Sequence, residues 1–177
     1  MRDKMIIIFG LAGSGKSTQG QLLAEKLGYV WLSVGEVIRE AGRFGEILKT
    51  GKLVDDGIVI ELMRKKIEAA LGRGKNVVLD GFPRNIVQTE WVLKHLVEKI
   101  DIAIYLEVNK DELWKRLKLR GREDDTEDAM KQRFMVFEQN IYTMLEMLRA
   151  KNIKIKKVDG VGEIEEINQR ILEAVRG

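Results

Sequence analysis

Residues 10–19 read GLAGSGKSTQ and follow directly on the apolar run MIIIF. Gly10, Gly15, Lys16 and Ser17 match the fixed positions of G-x-x-x-x-G-K-[ST], with Gly13 and Ser14 between them. The chemistry suited to such a set is anion binding. Glycines let successive main-chain N–H groups converge on phosphate oxygens where a side chain would collide, and a helix starting at Lys16 adds its positive end. Lys16 offers a mobile charge to the outer phosphates, and Ser17 or Thr18 a hydroxyl to magnesium or to a phosphate. A second stretch, LDGFPRNIVQ at 79–88, places Asp80 at the end of the apolar run NVVL with Arg84 four residues on. Asp80 is expected to hold magnesium through coordinated water, since carboxylates bind that ion without stripping its hydration shell.

These groups need elements to carry them. Short apolar runs alternate with longer segments of helical period, which predicts strands near 5–9, 29–32, 76–79, 102–108 and 153–158. Helices are predicted near 16–27, 34–41, 56–71, 87–97, 111–119, 127–149 and 163–175. Near-continuous Ile/Val runs imply strands buried on both faces. The expected architecture is therefore α/β, a three-layer fold with a five-stranded parallel sheet flanked by helices. In such sheets ligands bind beyond the carboxyl ends of the strands, where both motifs fall. No repeat, linker or low-complexity segment divides residues 1–177, so a single domain is expected.

Composition excludes some chemistries. The 177 residues include no cysteine, which removes disulfides, thiolate zinc sites and thiol nucleophiles and fits a reducing cytoplasm. Thirty-one basic against 28 acidic residues leave a net charge of +3. The lysines of KNIKIKK, 151–157, alternate with isoleucines as on an exposed strand face, so nucleic-acid binding is not expected. The charged start followed by a short apolar run lacks a signal-peptide core, and no run approaches a membrane span.

Six segments occur in the order found in one family: GLAGSGKSTQ, SVGEVIR at 33–39, GKLVDD at 51–56, DGFPR at 80–84, GREDD at 121–125, and Arg133. Together they resemble adenylate kinase and its nucleoside monophosphate kinase relatives, over nearly the whole chain. The resemblance implies a P-loop kinase fold and reversible, Mg2+-dependent phosphoryl transfer from ATP to AMP. Small-molecule nucleotides would be the partners. It implies that Gly13, Ser14, Gly15, Lys16, Ser17, Thr18, Arg116 and Arg120 bind the donor. Ser33, Val34, Arg39, Val54, Gly81, Arg84 and Gln88 would bind the acceptor, together with Arg122 and Arg133. Lys16, Arg84, Arg120, Arg122 and Arg133 would surround the moving phosphoryl group, and Ser17 and Asp80 the metal. No general base is needed, because the attacking phosphate oxygen is already an anion; alignment and counter-charge suffice. The acceptor-binding segment would span about 33–71 and a minimal lid about 119–126.

Departures from the family leave alternatives open. Ser17 stands where adenylate kinases have glycine and Ala12 where they have proline; GSGKST is equally at home in shikimate kinases, which lack DGFPR. Only Gly121 separates Arg120 from Arg122, so the lid is expected to be very short and the donor base weakly read. Gln88 matches the glutamine that pairs with adenine, while Asn85 and Val34 leave UMP or CMP as alternative acceptors. A non-catalytic nucleotide-binding regulator is the alternative of a different class. Asp124 and Asp125 match the family's acidic pair or cap the following helix. On that helix Phe134, Phe137, Ile141, Leu145 and Leu148 form one stripe that Met135, Val136, Met144 and Met147 widen. Either a homo-oligomer or deep burial accounts for that width. Arg43, Arg64 and Arg149 are read as solvated, His95 as incidental, and Trp31, Trp91 and Trp114 as core.

Overall fold

In the computed structural model of the chain, which describes residues 4–42, 44–50, 52–122 and 125–177, MIIIF forms strand β1 (Met5–Phe9), buried along its whole length. In chain order there follow α1 (Lys16–Leu27), β2 (Val30–Ser33), α2 (Val34–Glu40), α3 (Gly45–Lys49), α4 (Asp56–Leu71), β3 (Val77–Asp80) and α5 (Ile86–Leu96). A 3-10 turn (Val97–Lys99) leads to β4 (Ile100–Glu107), α6 (Lys110–Arg120), α7 (Glu127–Ala150), β5 (Lys154–Asp159) and α8 (Ile164–Arg176). The five strands pair in the order β2-β3-β1-β4-β5, all parallel.

The pleat of β1 explains its composition. Met5, Ile7 and Phe9 enter one apolar cluster with α2, α4, α5 and α7, whereas Ile6 and Ile8 enter another with α1 and α8. A strand covered on both faces needs apolar residues at every position. Ile6, Ile7 and Ile8 are fully buried, each contributing about 1.5–3 kcal/mol by leaving water. The result is the expected helix–sheet–helix sandwich. A third, smaller cluster joins Val108, Leu113 and Leu117 to Met130 and Phe134, and the loop residues Leu11 and Ala12 pack against it.

Strand and helix ends shift from their predicted positions by one or two residues; β3 extends to Asp80 and β2 to Ser33, each paired in register with the other. Helix α3 is not anticipated. Its five residues, none of them buried, span barely one turn and display no period. The cap of α7 is Thr126, whose Oγ1 accepts the Ala129 N–H at 3.2 Å. Asp125 is thus not needed as a cap, and Asp124 lies outside the described residues, as does Arg43. Of the extra apolar width on α7, Met144 is buried, Met147 packs against the core and Val136 faces a cleft described below, as does Phe137 of the stripe itself, while Met135 stays 45% exposed. Trp31, Trp91 and Trp114 each pack against an apolar cluster. Among the described residues, no helix is long and apolar enough to cross a membrane.

Candidate active site

The carboxyl ends of β1, β2 and β3 open into one cleft beside β1, where successive crossovers turn to opposite sides of the sheet. The loop after β1 is held in its shape by glycine. Gly13 and Gly15 adopt φ of 84° and 88°, left-handed values that other residues reach only with strain. A Cβ on Gly10 would lie 2.5 Å from Ser14 Oγ and 2.9 Å from the carbonyl of Leu106. Gly15 caps α1 without a side-chain hydrogen bond, which leaves the first-turn N–H groups of the helix for an anion.

Lys16, Arg84, Arg120, Arg122 and Arg133 line this cleft together with Asp80. Lys16 Nζ donates to the carbonyl of Leu11 at 3.1 Å. Burial pushes its ammonium down to about 8; Asp80 opposes the fall, and Arg84, Arg120 and Arg133 add to it. Arg84 is fixed from two sides. Its Nε donates to the Gly81 carbonyl at 2.9 Å and its main-chain N–H to Gln88 Oε1 at 2.8 Å. Across the cleft Arg120 grips Asp125 through Nε, at 2.7 Å, and through Nη2. Arg133 donates to the same carboxylate at 3.1 Å and to the Leu48 carbonyl at 3.0 Å. Burial works to raise the Asp125 carboxyl, but hydrogen bonds and charge from Arg120, then Arg133, outweigh it and hold it below the usual range.

Asp80 is the carboxylate facing this set. It is 1% exposed, and its Oδ2 has no hydrogen-bond partner. A buried carboxylate oxygen without a donor is costly in a protein interior, and a hydrated cation would relieve it. Ser17 lines the same cleft. Among the described residues no cluster of three or more His, Cys, Asp or Glu could cage a metal. One carboxylate with a hydroxyl fits magnesium, which is held by few protein groups together with substrate phosphates.

The other predicted residues are distributed unevenly. Ser33, Arg39 and Gly81 line the cleft, and Arg39 donates to Glu36 at 2.6 Å. Gly13, Ser14 and Gly15 build the loop beneath it. Val34, Val54 and Gln88 are buried and do not contribute to its lining. Thr18 is exposed. Arg116 pairs with Glu112 at 2.8 Å and reaches the Ser14 carbonyl at 3.4 Å, and it does not contribute to the cleft's lining. Lys52, Val136, Phe137 and Met144 line the cleft without having been predicted to. For Val136 and Met144 the unexplained width of the α7 stripe was the available signal, for Phe137 its place in the stripe, and for Lys52 its place in GKLVDD.

Fold and cleft together define the class, a P-loop nucleotide kinase. The adenylate kinase family model matches residues 8–153. The adenylate kinase of Maricaulis maris is 35% identical, covering 96% of this chain and 97% of that protein. The adenylate kinase of Mycolicibacterium vanbaalenii is also 35% identical, over 96% of this chain and 98% of its own length. That of Stenotrophomonas maltophilia is 32% identical, over 97% and 99% respectively. The chain belongs to the adenylate kinase family.

Proposed function

We propose that this chain transfers the γ-phosphoryl group of Mg2+-bound ATP to AMP, reversibly, giving two molecules of ADP. An oxygen of the AMP phosphate forms the new P–O bond as the bond from the γ-phosphorus to the β–γ bridging oxygen breaks. No proton has to move. The convergence of Lys16, Arg84, Arg120, Arg122 and Arg133 on one cleft carries this reading, because a triphosphate and a monophosphate bring several negative charges together and the transition state spreads charge over the moving group.

In this reading Gly13, Ser14 and Gly15, with Lys16, Ser17, Thr18, Arg116 and Arg120, hold the donor. Ser33, Val34, Arg39, Val54, Gly81, Arg84 and Gln88 form the acceptor side, within a segment of about 33–71, and Arg122 and Arg133 bridge the two. Ser17 and Asp80 hold magnesium, which supplies further counter-charge to the phosphates. Residues of about 119–126 serve as the whole lid. The interval between the helices is short: α6 ends at Arg120, Gly121 caps it with φ 60°, and α7 begins at Glu127.

One observation favours AMP over UMP or CMP: the relatives named above are adenylate kinases. Asn85 and Gln88 do not discriminate, since both are engaged within the protein, Asn85 with the Gln88 N–H at 2.9 Å and Asp56 at 2.7 Å, and Gln88 with Asp56 and the Arg84 N–H, each at 2.8 Å. The complete cationic set favours a catalyst over a regulator. A coupled assay of ADP formation with AMP, UMP, CMP and shikimate as acceptors tests the reading. AMP is expected to react fastest. A higher rate with UMP or CMP overturns the choice of base, and no turnover with any acceptor overturns catalysis. With so small a lid, ATP, GTP, CTP and UTP are expected to serve as donors at comparable rates, and a strong preference for ATP would exclude that.

A further inference from the structure

One carboxylate oxygen outside the cleft governs the loop that carries Arg84. Asp56 Oδ1 accepts from Gln88 Nε2 at 2.8 Å and from Asn85 Nδ2 at 2.7 Å. Gln88 returns its Oε1 to the main-chain N–H of Arg84, at 2.8 Å. A carboxylate has no hydrogen to give, so it dictates the direction of the amide: the reversed amide would set oxygen against oxygen at Asp56 and N–H against N–H at Arg84. Gln88 is 1% exposed, so its amide is shielded from solvent even though Asp56, Asn85 and Arg84 are half-buried. Asp56 is free for this task because its neighbour Asp55 caps α4 by accepting the Ile58 N–H.

We propose that Asp56 is a positioning residue that locks Arg84 to the acceptor-binding segment and thereby sets the affinity for the acceptor. It deepens the proposed reading of Arg84 as a ligand of the acceptor's phosphate, and rests on it. The connection runs from the first turn of α4, through two amide side chains on α5 and its cap, to the main chain of Arg84. There the Gly81 carbonyl takes Nε at 2.9 Å, fixing the guanidinium from its near end. Movement of α4 relative to β3 therefore reaches Arg84 directly. The donor side has no comparable link to Asp56 among the described residues.

The test compares Asp56→Ala and Asp56→Asn in the full chain by two readouts. Amide-proton exchange reports on the Arg84 N–H without requiring turnover. In Asp56→Ala the Gln88 amide loses its fixed direction, and exchange at Arg84 is expected to quicken about tenfold or more, the effect of one lost buried hydrogen bond, with Val77–Asp80 unchanged. In steady-state assays the KM for the acceptor should rise by about the same factor while the KM for ATP stays within roughly twofold. Asp56→Asn keeps an accepting oxygen at the same place and should restore both readouts to within about threefold. Unchanged exchange at Arg84 in Asp56→Ala, an unmoved acceptor KM, or a parallel rise in both KM values would each overturn the proposal. A wild-type chain that turns over no nucleoside monophosphate would overturn the functional reading instead, and the exchange measurement would then decide whether Asp56 holds Arg84.

Discussion

Arg133 reaches back along 85 residues of chain to donate to the main-chain carbonyl of Leu48, 3.0 Å away. Its other terminal nitrogen holds Asp125, so a single planar fork joins α3, in the proposed acceptor-binding segment, to the residue just ahead of α7's cap. An ammonium offers no such fork. Arg133→Met is expected to lower kcat/KM by about 10²–10³, the scale of losing one preorganised donor. Arg133→Lys should recover only part of this and leave the KM for AMP raised. Steady-state kinetics with each substrate varied in turn measures both.

Lys16 makes the protein sensitive to alkaline pH. Its folded pKa of about 8 lies below the ordinary value of 10.5. Between those values the unfolded chain binds more protons than the folded one, so this lysine's contribution makes stability rise with pH across that window. Below pH 8 the full cost of burying the ammonium is carried. Phosphate in the cleft restores the charge, so ATP binding should take up a fraction of a proton at pH 8.5, and less at pH 7. Calorimetry in two buffers of different ionisation enthalpy detects this uptake, and Lys16→Arg should abolish it.

Asp80→Asn removes both the proposed metal anchor and the charge that opposes the fall of Lys16. A loss of about 10²–10³ in kcat is expected, with a weaker dependence of rate on Mg2+ concentration. The proton-uptake profile should also move to lower pH, since Lys16 then titrates further below 8. Magnesium titration and calorimetry separate the two effects.

Gly13→Ala should destabilise the fold as well as the site. The new methyl would combine φ of 84° with an approach of 2.8 Å to Leu117 Cγ and 3.1 Å to the Leu113 carbonyl. A cost of about 1–3 kcal/mol follows from the backbone alone, or several degrees in Tm for a chain of this size. Gly28→Ala is the comparison. It shares a positive φ, 68°, but a Cβ there meets nothing within 4 Å, so its fall in thermal unfolding temperature should be smaller.

The phosphate loop and the Asp80–Arg84 turn are legible in the sequence because their constraints are local: glycine where the backbone must be left-handed or closely approached, and charge at a strand end. The sheet is legible because a strand covered on both faces admits few polar residues. What escapes are relationships across distance. Nothing near Gln88 announces that Asp56, 32 residues earlier, takes its amide hydrogen. The pairing of Asp125 with Arg120 and Arg133 depends on how α6 and α7 meet. Helix α3 escapes for the opposite reason, since one exposed turn carries no period at all.

Helix α7 is both foundation and furnishing. Leu145 and Leu148 anchor the core from it, while Val136, Phe137 and Met144 give the cleft its greasy wall and Arg133 its charge. Within one span of 24 residues, a change that retunes substrate fit is also a change to folding. Lineages drifting toward new acceptors therefore have few neutral steps available along this helix, and altered selectivity should enter first through the shorter elements opposite it.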